Sequence, residues 1–68
     1  MAGTVARITQ ISARSDTGFD DAVEVGIERA NSTLRNVTGA WVKEQKVEVE
    51  GGAIVAWQVM LEVTFILD

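Results

Sequence analysis

The sequence contains a long β-hairpin pattern and one helix-like segment, a combination that limits the folds open to this chain. Two strand-like runs, residues 39–50 and 53–67, meet at Gly51-Gly52, and the helix-like segment covers about residues 15–36. One helix can shield only one of the two faces of a hairpin. The other face is predicted to carry a largely apolar set of side chains, namely Trp41, Val47, Val49, Ile54, Ala56, Met60 and Ile66. The pattern therefore predicts a subunit of a larger shell, with its function located between copies.

The size of the chain makes association the expected source of stability. The chain has 68 residues, and a domain of this length buries only about 60% of the surface that its unfolded chain exposes. Cysteine and histidine are absent, which excludes disulfides, Cys/His zinc sites and nucleophiles activated by histidine. Residues 1–68 are expected to form a single domain that packing between copies stabilises.

The charge of the chain excludes several classes of partner. The net charge is −4 and the basic residues are scattered, whereas binding to nucleic acid requires a concentrated basic surface. The first residues lack the charged and apolar regions of a signal peptide, and no apolar run approaches the ~20 residues of a membrane span. We therefore expect a cytoplasmic protein with neither nucleic-acid nor membrane partners.

A strand and an amphipathic helix are predicted before the hairpin. Residues 5–11 alternate and are rich in β-branched side chains, which favours a first strand. Ser15 is predicted to cap the helix N-terminus, where Asp16, Asp20 and Asp21 would complement the helix dipole. The predicted apolar stripe of the helix consists of Phe19, Val23, Gly26, Ile27, Ala30 and Leu34. Because glycine weakens a helix, Gly26 is expected to mark close packing on the sheet.

A two-residue turn at Gly51-Gly52 sets the predicted register of the hairpin, because glycine adopts the required positive φ angles without strain. Trp41 and Gln58 then lie on the face away from the helix. The alternative is a three-residue loop, which would shift the register by one residue and move Trp41 to the helix side. The cross-strand pairs predicted for the two-residue turn are Val42–Leu61, Trp41–Glu62, Gln45–Gln58 and Val47–Ala56.

Charged residues near the turn are less consistent with this register. Glu44, Lys46 and Glu48 would share the helix side of the sheet, although they are charged. We therefore expect this end of the hairpin to project past the helix and to contact a neighbouring copy.

Two groups of residues are candidates for ligand binding, whereas no pattern typical of a catalytic site is present. Carboxylates at Glu44, Glu48, Glu50 and Glu62 could supply oxygen ligands to calcium or magnesium where copies meet. A salt-bridged edge with Lys43 and Lys46 is the favoured interpretation, so no metal site is assigned. The second group is Trp41 with Gln58, which offers a stacking surface and a hydrogen-bonding amide to a planar heteroaromatic ligand. Packing of the indole between subunits is the alternative for Trp41.

Three segments give the chain a family resemblance. The sequences RANSTLRNV (residues 29–37), AWVKEQ (40–45) and LEVTFILD (61–68) resemble the dodecins, and the resemblance covers almost the whole chain. It implies an α+β fold of β-α-β-β order, in which a three-stranded antiparallel sheet wraps one helix and twelve copies form a hollow shell. It also implies a non-enzymatic role in flavin storage, with flavins stacked between tryptophans of adjacent subunits and held by a glutamine.

The resemblance also implies positions for the flavin-binding residues. The glutamine corresponds to Gln58, and acidic positions near the flavin tail correspond to Glu44 and Glu48. The stacking tryptophan corresponds to Gly39, whereas the tryptophan of this chain, Trp41, is displaced by nearly 7 Å along the strand. Either Trp41 stacks the ligand in an altered pose or the tight flavin sandwich is lost.

The expected function is therefore flavin binding (riboflavin, FMN or FAD) by a homododecamer. The alternative is a structural or calcium-binding oligomer without tight flavin binding, since some dodecin-like proteins are associated with calcium.

Overall fold

The order of the secondary-structure elements is β-α-β-β in the computed structural model, which describes residues 2–68. The strands form one antiparallel sheet in the order β1-β3-β2, so β3 is the central strand. This arrangement confirms the predicted α+β class and the three-stranded sheet with one helix. The bounds are β1 Ala6–Ser15, α1 Phe19–Thr33, β2 Val37–Glu50 and β3 Ala53–Ile66.

The subunit is elongated because its strands are longer than its helix. Strands of 14 residues span about 46 Å, whereas the 15-residue helix spans about 22 Å. The subunit accordingly measures 57 × 20 × 14 Å. Since the helix covers only part of one face, the hairpin projects beyond it, as predicted.

The core lies where α1 crosses β3 and β1. The predicted packing role of Gly26 is confirmed, since a Cβ atom at this position would lie 2.8 Å from Leu61 Cδ1 and 3.1 Å from Ala13 Cβ. Four residues of the predicted stripe, Phe19, Val23, Ile27 and Leu34, pack against the core while remaining half-buried. Ala22 is fully buried although the predicted stripe omits it. The buried core residues are Ala13, Ala22, Ala30, Val59, Leu61 and Val63.

The start of the helix differs from the prediction. Strand β1 continues to Ser15, which pairs with Trp57, so Ser15 does not cap the helix. Gly18 is the N-cap residue and forms no side-chain capping bond. Pairing with the long central strand extends β1 past residue 11, because alternate residues of the added segment gain backbone hydrogen bonds to β3. Asp20 and Asp21 lie in the first helical turn as predicted, whereas Asp16 precedes the helix.

The end of the helix also comes earlier than the predicted residue 36. The helix ends at Thr33, and the N–H of Leu34 donates to the carbonyl of Ala30 at 2.9 Å. Asn36 has a φ angle of 63°, a left-handed conformation that asparagine tolerates better than most residues. Its side-chain amide donates to Asp68 Oδ1 at 2.8 Å. This turn directs the chain into β2.

The hairpin turn is the one predicted. Gly51 and Gly52 have φ angles of 58° and 80°, which are the positive values that glycine adopts readily. Trp41 pairs with Glu62 as predicted, so the alternative register with Trp41 on the helix side is wrong.

A β-bulge between Val42 and Glu44 changes the register nearer the turn. Beyond it, Gln45 pairs with Val59 and Val47 pairs with Trp57, so the predicted pairs Gln45–Gln58 and Val47–Ala56 are wrong. The bulge adds one residue to β2, which exchanges the two faces for every residue that follows it before the next irregularity. Gln45 and Val47 consequently lie on the helix side.

Candidate functional site

The candidate site lies on the sheet face that points away from the helix, called the outer face below. On β3 this face carries Gln58, Met60 and Glu62, because the alternate residues Val59, Leu61 and Val63 form the core. Residues directly opposite one another share a face, so the register assigns the other strands. On this basis the outer face includes Ser12 and Arg14 of β1 and Gly39, Trp41, Glu44, Lys46 and Glu48 of β2.

The bulge brings the predicted site residues onto one face. Glu44, opposite Met60, and Glu48, opposite Ala56, were predicted on the helix side, and that placement is wrong. The added residue moves both carboxylates to the face that carries Gln58. All five residues predicted to contact flavin therefore lie on the outer face, although their contact with a ligand stays a prediction.

Trp41 is the tryptophan that the outer face presents. This residue is 57% exposed on the edge strand β2, whereas Trp57 is half-buried on the helix side opposite Val47. Glu62, the partner of Trp41, is four residues from Gln58 along β3, a distance of about 13 Å. The indole and the amide of one subunit are therefore separate contact points.

A pocket of about 220 Å³ surrounds Gln58 on the outer face. The Gln58 Nε2 atom donates a hydrogen bond to Ser12 Oγ at 2.9 Å, which links β3 to β1. The pocket is lined by Ser12, Glu44, Gln45, Lys46, Gln58, Val59 and Met60. Its walls combine the apolar side chain of Met60 with an amide, a hydroxyl and charges of both signs. Such a lining can fix the orientation of a partly polar ligand.

An ion pair closes the end of the outer face near the hairpin turn. Arg14 Nε and Nη2 donate to the two carboxylate oxygens of Glu48 at 2.9 and 3.3 Å. Because β3 lies between their strands, the pair crosses over it, and Ala56 opposite Glu48 is fully buried. The hydrogen bond from Arg14 holds the pKa of Glu48 below its usual value, and the same bond raises the pKa of Arg14. Glu48 is thus engaged within its own subunit.

The other acidic candidates are not gathered into a metal site within one subunit. Glu62 Oε1 lies 3.7 Å from Lys43 Nζ, which agrees with the predicted salt-bridged edge. Among residues 2–68, no three or more acidic, cysteine or histidine side chains are arranged to hold a metal ion. Calcium ligation by these carboxylates would therefore need ligands from another copy.

Sequence reasoning missed the contributions of strand β1 to this face. Ser12 contacts Gln58, and Arg14 contacts Glu48. Both are polar residues that alternate with Ile11 and Ala13, so the two-residue period was the signal available. The pairing of β1 with β3, which assigns these residues to the face of Gln58, could not be read from that period alone.

The sequence also predicts that the chain has no membrane-spanning segment, and the helix can be compared with that prediction. Over residues 2–68, the structure contains no helix with the length and apolar character that a bilayer span requires.

The comparisons with known proteins agree with this architecture. The family model described as Dodecin matches residues 5–68. A dodecin from Thermus thermophilus is 30% identical over 66 residues, which cover 97% of this chain and 96% of the relative.

Solved structures show the same fold. The dodecin from Streptomyces davaonensis is 37% identical, with a TM-score of 0.91 and 98% of each chain covered. A calcium-chelating antigen from Mycobacterium tuberculosis, described as calcium dodecin, is 27% identical, with a TM-score of 0.81 and 96% of this chain and 93% of the relative covered. With a family match over nearly its whole length and the β-α-β-β fold of its relatives, this chain belongs to the dodecin family.

Proposed function

We propose that this protein binds flavin between copies of itself and stores it without chemical turnover. The observation that carries the proposal is the exposed indole of Trp41 on the same sheet face as the pocket around Gln58. A large aromatic residue that is 57% exposed offers a stacking surface for a planar ring system. Membership of the dodecin family supports flavin as the ring.

The chemistry of the outer face suits an isoalloxazine ring. This ring is planar and largely apolar, and its pyrimidine end carries an imide with one N–H donor between two carbonyl acceptors. The amide of Gln58 can donate and accept, and the hydroxyl of Ser12 lies beside it at 2.9 Å. Trp41 would cover the face of the ring and Gln58 would bind its edge.

The separation of these groups supports a site shared between copies. Trp41 and Gln58 of one subunit are about 13 Å apart along the strand direction. A second subunit with its outer face opposed would supply the other side of the stack, as expected for the homododecamer that the resemblance to the dodecins implies. At Gly39 an added Cβ would meet no heavy atom within 4 Å, so the space beside this position is open in one subunit, which is compatible with a ligand there.

Fluorescence titration tests the proposal. Riboflavin, FMN and FAD are each added to the protein, and stacking on Trp41 is expected to quench flavin emission and to shift the visible absorption band. Trp41→Ala is expected to weaken binding roughly 5- to 160-fold, because base–aromatic stacking contributes about 1–3 kcal/mol. Trp57→Phe is the matched control, since it removes the tryptophan on the helix side. Unchanged emission of all three flavins at micromolar protein would refute the proposal.

Calcium binding is the second candidate, favoured by the structural neighbour described as a calcium dodecin. Glu44 lines the pocket and carries a carboxylate of the type that calcium prefers. This candidate predicts a higher melting temperature in calcium than in EDTA, lost in Glu44→Gln, together with indifference to flavin. Equal melting temperatures in calcium and EDTA would exclude it.

A further inference from the structure

We propose that Ser12 is a positioning residue that holds the amide of Gln58 ready to bind the imide edge of a flavin ring. This inference rests on the proposed function and extends it to a residue on a different strand. The observation behind it is the hydrogen bond from Gln58 Nε2 to Ser12 Oγ, at 2.9 Å, on the wall of the outer-face pocket.

The register explains why these two side chains meet. Ser12 is directly opposite Met60, and Arg14 is directly opposite Gln58. Ser12 and Gln58 are therefore diagonal neighbours on the same sheet face, a separation that a long side chain such as glutamine can span. Ser12 belongs to the edge strand β1 and Gln58 to the central strand, so the bond ties the pocket wall to the rigid centre of the sheet.

Ordering the glutamine side chain in advance has a thermodynamic consequence. Fixing a free glutamine side chain costs up to about 1.5–2 kcal/mol of conformational entropy. In this subunit, the bond to Ser12 restricts the side chain before a ligand arrives, so less of that cost falls on binding. Lys46 opposite Gln58 and Arg14 on its other side further limit the space open to the amide.

The bond also determines what the amide presents. One hydrogen of Nε2 is used by Ser12, which leaves the second hydrogen and the carbonyl oxygen as the donor and the acceptor available to a ligand. An imide edge, with its N–H beside a carbonyl, is the complementary pattern. Ser12 thereby selects planar rings with an imide edge over rings of similar size without one.

The experiment compares two ligands that differ at that edge. Riboflavin and 3-methylriboflavin, whose imide N–H is blocked, are titrated against the wild-type protein and its Ser12→Ala and Ser12→Thr variants. Ser12→Ala is expected to weaken riboflavin binding roughly 3- to 10-fold, the value of one hydrogen bond, and to change 3-methylriboflavin binding less than about twofold. Ser12→Thr retains the hydroxyl and is expected to restore the wild-type preference for riboflavin.

A double variant separates positioning from general damage to the sheet. If Ser12 acts through Gln58, Ser12→Ala combined with Gln58→Ala is expected to bind riboflavin no more weakly than Gln58→Ala alone. Equal loss for both ligands, additive losses in the double variant, or wild-type affinity in Ser12→Ala would each overturn the role of Ser12 while leaving flavin binding intact. Absence of riboflavin binding by the wild-type protein would instead overturn the proposed function, and this inference with it.

Discussion

The two faces of the central strand β3 differ in what covers them. On the helix side, Val59, Leu61 and Val63 are at most 1% exposed, because α1 packs directly on them. On the outer face, the interleaved residues Gln58 and Met60 are half-buried and line the pocket. One strand thus supplies both the core of the subunit and the surface offered to ligands and other copies. Stability is expected to depend on the first face and binding on the second.

Removal of a core side chain should have the largest effect. Leu61→Ala deletes a fully buried side chain and is expected to lower the free energy of unfolding by about 3 kcal/mol, through lost burial and the cavity left behind. Met60→Ala, on the outer face, is the control and is expected to cost about 1 kcal/mol or less. Urea unfolding at one fixed protein concentration measures both, since association would change the apparent stability. Equal losses would show that the two faces do not divide these roles.

Two serines of β1 extend the comparison of the two sheet faces, since Ser15 lies on the helix side and Ser12 on the outer face. Ser15 is 6% exposed, and its hydroxyl donates to Asp21 Oδ2 at 2.6 Å and accepts from the backbone N–H of Thr17 at 2.9 Å. Ser15→Ala is expected to cost about 1–2 kcal/mol, because both partners lose a hydrogen bond at the start of the helix. Ser12→Ala, exposed on the outer face, should cost less than about 0.5 kcal/mol. If urea unfolding showed a larger cost for Ser12→Ala than for Ser15→Ala, the assignment of stability to the helix side and of binding to the outer face would be contradicted.

Acid should weaken the contacts around Asp21 gradually. Hydrogen bonds from Ser15 and Thr17 lower the pKa of Asp21 in the folded state, so the unfolded chain takes up the proton first as the pH falls. The contribution of these hydrogen bonds to the free energy of unfolding is fully present above the ordinary aspartate pKa of about 4. It is lost as the pH falls towards the pKa of Asp21 in the folded state. The urea midpoint should therefore decrease from pH 5 to pH 3, and the decrease should be smaller in Asp21→Asn. If the urea midpoint of Asp21→Asn decreased as much as that of the wild-type protein, protonation of Asp21 would not account for the loss of stability in acid.

The smallest effect is expected at the ion pair beside Trp41. Lys43 and Glu62 are 3.7 Å apart, with the lysine side chain 51% exposed. Lys43→Ala is expected to change the free energy of unfolding by no more than about 0.5 kcal/mol, since solvent and salt screen such pairs. High salt should remove even that difference, so the free energies of unfolding of the wild-type protein and the variant are compared at low and at high salt. A loss above about 1 kcal/mol, the upper end for exposed pairs, would contradict the expectation that solvent screens this pair.

Much of the fold could be predicted from local patterns. The helical spacing from Phe19 to Leu34 and the glycine pair at the turn each depend on residues close together in sequence. The close packing of Gly26 was also predictable, because a glycine inside an amphipathic helix usually marks a close approach to a neighbouring element. The helix ends were predicted less well, since pairing between distant strands extended β1 to Ser15.

The faces of β2 could be predicted only up to the bulge. A signal was present: the apolar positions change phase from Ala40 and Val42 to Val47 and Val49. Such a change in a period-two pattern indicates an added residue, yet it does not say which residue is added. The missed bulge placed Glu44 on the wrong face and left its proximity to the pocket of Gln58 undetected.

Local conformational preferences and matching residues were sufficient to predict the order of the elements, the Gly51-Gly52 turn and the resemblance to the dodecins. Only the folded sheet shows which side chains share the outer face and which contacts they form. Ser12 meets Gln58 across 46 positions of sequence and Arg14 meets Glu48 across 34. Such contacts depend on strand order, register and one bulge, which are properties of the assembled sheet and of no single segment.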